Sequence, residues 1–68
     1  MEVLQDRELL RRAAMWLHRR GLEVTMDEVA ADLSYTYDAI RHLLRTEGRV
    51  VPKSDHDMRR WLASFYKI

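Results

Sequence analysis

The 68-residue sequence predicts an all-α domain: a tri-helical core followed by a C-terminal helix. Three observations carry this. Apolar residues recur at helical spacing along most of the chain. Gly occurs twice and Pro once, too few for the many turns of an all-β fold. The two glycines and the single proline fall where periodic segments stop.

The first helix is expected from about Gln5 to Arg20. Leu10, Ala13, Ala14 and Leu17 recur at i, i+3, i+4 and i+7 and form its inward stripe, flanked by Leu9 and Trp16. Arg11, Arg12, His18 and Arg19 fall on the opposite face. Arg11, Arg12, Arg19 and Arg20 read there as a solvated basic cluster. Asp6 and Glu8 open the helix and Arg19 and Arg20 close it, matching its dipole, and Gly21 follows as the stop.

A short second helix is expected over about Met26 to Leu33. Thr25 and Glu28 have capping-box spacing, and Val29, Ala30 and Leu33 point inward. The third helix is expected to start near Ser34–Thr36 and run to about Glu47, with Ile40, Leu43 and Leu44 as its stripe and Gly48 as its stop. Residues 49–53 read as extended, because two valines precede Pro52.

The last segment has two readings. Met58, Trp61, Leu62 and Phe65 are spaced as a helix face behind Ser54 as N-cap, giving a helix of roughly 55–66. Alternatively, residues 49–53 and 60–65 pair as a β-hairpin wing. The adjacent large side chains Trp61 and Leu62 suit a strand poorly, so the helix is preferred.

Composition narrows the function. With no Cys there is no disulfide framework, thiolate zinc site or thiol nucleophile. Leu, Ile, Val and Phe make up 17 residues, too many for a disordered tail. No apolar run is long enough to span a membrane, and the start lacks a signal-peptide pattern, so a cytoplasmic chain is expected. His18, His42 and His56 are scattered over three segments. Asp55-His56-Asp57 suits a helix start better than a metal. No phosphate loop or nucleophile elbow is present, so no catalytic residue, metal or cofactor is assigned and no enzyme is expected.

The most specific pattern lies at about 25–46. Val29 and Ala30, Leu33, a turn at Ser34, apolar Tyr35, then Ile40 and Leu43 have the offsets of two helices crossing through a tight turn. This spacing resembles the bacterial helix-turn-helix family of transcriptional regulators, with Ser34 in place of the usual turn Gly. The Glu47-Gly48-Arg49-Val50 exit looks like the step into a wing. In size the chain resembles small winged-helix regulators of bacterial operons.

The resemblance implies one DNA-binding domain over 1–68, with the extension at 49–68. It implies that Thr36, Tyr37 and Asp38 open a recognition helix in the major groove of double-stranded DNA, followed by Arg41, His42 and Arg45. Thr25, Arg49 and Lys53 would meet phosphates. Tyr35 is expected in the core and Tyr37 in the open.

The charge pattern itself adds a physical argument. Arg41, Arg45 and Arg49 follow one another at four-residue spacing, a like-charge stack that an anionic partner would relieve. Asp38 and Glu47 already relieve part of it. The net charge of +1 and the pI near 8.2 give a weak basic footprint, so binding is expected to need a homodimer or a protein co-regulator. The alternative function is a protein-interaction module that keeps this fold and binds a regulator or polymerase subunit. Trp61, Phe65 and Tyr66 are the candidate partner or dimer surface for it.

Overall fold

The computed structural model describes residues 6–64. It holds four helices, α1 (Asp6–His18), α2 (Met26–Ala31), α3 (Leu33–Thr46) and α4 (Asp55–Ala63), and no strand among the described residues. The all-α expectation holds, and the C-terminal segment is a helix rather than a wing. The expected helix positions Gln5 and Phe65 lie outside the described residues.

Helix α1 packs against α2 and α4, and α2 packs against α3. The shared core holds Leu9, Ala13, Trp16 and Leu17 of α1, Val29 of α2, Tyr37, Ile40 and Leu44 of α3, and Met58 and Leu62 of α4. Val29, Ile40, Leu44, Met58 and Leu62 are fully buried, so each helix after the first sends at least one side chain to the centre. Every large apolar side chain matters in so short a chain, since burial is its main stabilising term.

The stops and starts follow local chemistry. After α1, the amide of Leu22 donates to the carbonyl of Leu17 at 3.2 Å and that of Gly21 to His18 at 3.0 Å. After α3, Arg49 donates to Leu44 at 2.9 Å and Gly48 to Arg45 at 3.1 Å. These are paired Schellman bonds, and both require a left-handed residue, supplied by Gly21 at φ +85° and Gly48 at φ +70°. The Thr25–Glu28 capping box opens α2, and the Ser54 hydroxyl accepts from the amide of Asp57 at 3.0 Å to open α4.

The corner between α2 and α3 departs from the expected turn. One residue, Asp32, forms it. Its amide donates to the Glu28 carbonyl at 3.4 Å, ending α2, while its carboxylate accepts from the amide of Tyr35 at 3.0 Å, starting α3. Ser34 is therefore helical, not a turn residue. Moving the helix start back to Leu33 also changes which side chains face in. Tyr35, expected in the core, is 71% exposed, whereas Thr36 and Tyr37, expected in the open, are 4% and 3% exposed. In α2, Ala30 is exposed rather than inward.

Arg12 was expected on the solvent face and is buried. Its Nη1 donates to the carbonyls of Leu62 at 2.9 Å and Ala63 at 2.8 Å, and its Nε to Glu8 Oε2 at 3.0 Å. Arg20 is also tied inward. Its guanidinium carbon lies 3.4 Å from the centroid of the Trp16 ring, and its Nε donates to Glu47 Oε2 at 2.7 Å. Trp16 in turn meets Trp61 edge-on, with ring centroids 5.3 Å apart. Two of the four basic groups in that cluster thus hold helices together.

Candidate nucleic-acid interface

The inner side of α3 is fixed by Tyr37, Ile40 and Leu44. Burial pushes the Tyr37 phenol above its ordinary range. Ser34, Asp38, His42 and Arg45 lie exposed on the opposite side, three or four residues apart, and form one continuous solvent stripe. Tyr35 and Thr46 stand exposed at its two ends.

The candidate base readers therefore divide. Asp38, His42 and Arg45 are on the open stripe. Thr36 and Tyr37 are not: the Thr36 hydroxyl donates to the Asp32 carbonyl at 3.1 Å, and both side chains are buried. Neither reaches a groove in this arrangement.

Arg41 is the larger correction. Its Nε donates to the carbonyl of Pro52 at 2.9 Å, Nη1 to Asp38 Oδ1 at 2.9 Å, and Nη2 to Asp55 Oδ1 at 3.3 Å. Its side chain is 18% exposed. It fastens the 49–53 strap and the start of α4 to α3, and each of its three guanidinium nitrogens already donates one bond. The like-charge stack with Arg45 is relieved from within, by two aspartates and a carbonyl.

The candidate phosphate contacts also differ. The Thr25 hydroxyl accepts from the Glu28 amide and donates to its carboxylate, both at 3.1 Å, so the cap uses it. Arg49 pairs with Glu47 at 3.5 Å and remains half exposed. Lys53 is exposed on the strap. Glu47, bonded first by Arg20 and then by Arg49, is held below the usual carboxylate range.

Along the other side of the strap runs an open groove of about 780 Å³. Arg49, Lys53 and Arg60 line it with Trp61, and Asp57 is its acidic group. Trp61, named as a partner-surface residue, is part of this wall, although it also packs on the ring of Trp16. Phe65 and Tyr66, named with it, lie outside the described residues. Sequence reasoning assigned Arg49 and Lys53 to phosphates but did not join them to Arg60 and Trp61, because nothing local shows that the 49–53 strap lies alongside α4. The cations at 49, 53 and 60 were the available signal.

Among the described residues, no group of three or more His, Asp or Glu side chains is placed to hold a metal ion. No described helix is long and apolar enough to cross a membrane. Comparison of the chain with protein-family models, with curated proteins and with solved structures finds no match in any of the three.

Proposed function

We propose that the protein binds double-stranded DNA, with the solvent stripe of α3 in the major groove. The observation that carries this is the stripe itself. Ser34, Asp38, His42 and Arg45 are open on a helix whose other side is locked into the core. A single helix fits the major groove, about 12 Å wide. His42 and Arg45 supply donors for guanine edges, and Asp38 an acceptor for a cytosine amine. Lys53 meets a backbone phosphate beside the groove. Few cations face the DNA, so affinity from one copy is low and falls with salt. The reading involves no chemical step, and it places the protein in transcriptional control.

Fluorescence anisotropy with a labelled mixed-sequence duplex, at low and high salt, tests it. Saturable binding at low salt is expected, with Arg45→Ala together with His42→Ala weakening it several-fold, since the stripe loses a cation that meets the duplex. Absence of binding at low salt, or a double variant that binds as the parent does, overturns the reading.

The cationic groove beside Trp61 favours a second reading, a module that takes an acidic segment of a protein partner. Under it, Arg60→Glu abolishes partner capture while the α3 double variant leaves it unchanged.

A further inference from the structure

Three large apolar side chains stand well exposed among the described residues: Leu22 at 42%, Tyr35 at 71% and Val50 at 92%. Single exposed apolar residues are ordinary. These three are arranged in two complementary sites.

Leu22 and Tyr35 line a cup of about 300 Å³ between the α1–α2 connection and the first turn of α3, with Leu17 and Ala39 also in its wall. Its charged wall groups are Glu23 and Glu28. Glu28 uses only Oε1 in the capping box, leaving Oε2 to face a cation. Val50 is the opposite feature. It projects from the strap just beyond the left-handed Gly48, next to Arg49 and three residues from Lys53.

One site is an apolar cup with two acids, and the other an apolar tip between two cations, of which Lys53 is exposed and Arg49 is half exposed beside its own Glu47. The cup lies over the N-terminal half of α3, at Tyr35, Thr36 and Ala39, and Val50 follows the helix's C-terminal end. Val50 is 92% exposed, so it does not fill the cup of its own chain.

We propose that a second copy of this chain fills the cup. Val50 of one copy enters the cup of the next, with Arg49 and Lys53 facing Glu23 and Glu28 across the contact. The two surfaces differ, so the contact is heterologous, and each added copy leaves one free cup and one free tip. Association therefore continues into short chains rather than stopping at a dimer. The interface is small, so association is weak and salt-sensitive. This inference does not depend on DNA binding.

Sedimentation velocity on the full chain without DNA tests it, from about 10 μM to about 1 mM at low salt, the range suited to a small interface. Val50→Asp removes the tip and Leu22→Lys closes the cup. Both sites are solvent-facing, and circular dichroism checks that the helices persist. Wild type is expected to sediment faster as concentration rises, and to lose that behaviour at high salt. Each variant alone is expected to stay monomeric, with self-association weakened at least about tenfold. An equal mixture of the two is expected to form a dimer and nothing larger, because one intact cup meets one intact tip. A wild type that is monomeric throughout overturns the proposal. So do variants that associate as wild type does, or a mixture that fails to dimerise.

Discussion

Arg12 closes the end of a helix that lies fifty residues further along the chain: its Nη1 donates to the carbonyl of Leu62 at 2.9 Å. The same nitrogen reaches Ala63, so a cation from α1 meets the C-terminal end of α4, where carbonyls lack helical partners and the dipole favours positive charge. Arg12→Met keeps much of the stem's volume but leaves both carbonyls without this donor. It is expected to lower unfolding free energy by about 2 kcal/mol. Arg12→Lys is expected to recover part of that, since a point charge replaces the planar fork. Urea unfolding of the two variants measures both.

Arg41 and Arg45 are neighbours in sequence pattern with opposite expected behaviour. Arg41→Ala removes the tie to Pro52 and is expected to cost about 1–2 kcal/mol. Amide shifts in that variant should concentrate at residues 49–55. Arg45→Ala, at an exposed position, is expected to stay within about 0.5 kcal/mol of the parent. Thermal unfolding and a two-dimensional amide spectrum separate the two.

Asp32 caps α3 through its carboxylate. Asp32→Ala is expected to destabilise by about 1 kcal/mol, and Asp32→Asn by only a few tenths, since an amide oxygen accepts the same bond. Equal losses in the two variants, read by chemical denaturation, would argue that the negative charge rather than the cap bond matters.

Acid should weaken the fold through two glutamates. Glu8, bonded by Arg11 and then Arg12, and Glu47, bonded first by Arg20, are both held below the ordinary carboxylate range. The folded protein therefore binds these protons less readily than the unfolded chain. Their contribution is complete above the unfolded value of about 4.3 and is lost as pH falls through the lowered folded values. Denaturant midpoints at pH 7, 4.5 and 3 should drop mostly over the last interval. The drop should be shallower in Glu8→Gln and Glu47→Gln.

The helices and their punctuation were legible because each rests on local chemistry. The capping box at Thr25 and Glu28, the Ser54 cap and the left-handed glycines are all properties of a few adjacent residues. The apolar periodicity of α1 and α4 was equally direct. What local pattern did not convey was the angular position of α3. Expecting a turn at Ser34 placed Tyr35 inside and Tyr37 outside. The spacing of Tyr37, Ile40 and Leu44 was present in the sequence, but both tyrosines suit either environment. Arg12, Arg20 and Arg41 were harder, since a charged side chain on a polar face is ordinarily solvated. Their partners lie 50, 27 and 11 residues away, as backbone carbonyls or acids that no spacing rule connects. For the candidate interface, this kept Asp38, His42 and Arg45 and removed Thr36, Tyr37 and Arg41.

The single-residue corner at Asp32 sets which changes of length the chain tolerates. Gly21 and Gly48 each end a helix into a connection of several residues, where an insertion is absorbed by a longer loop. At Asp32 there is no loop. One residue inserted there turns α3 about its own axis by about 100°, carrying Ile40 and Leu44 off the core and the polar stripe into it. Insertions and deletions are therefore confined to the two glycine exits, and the distance from Thr25 to Thr46 is a fixed count.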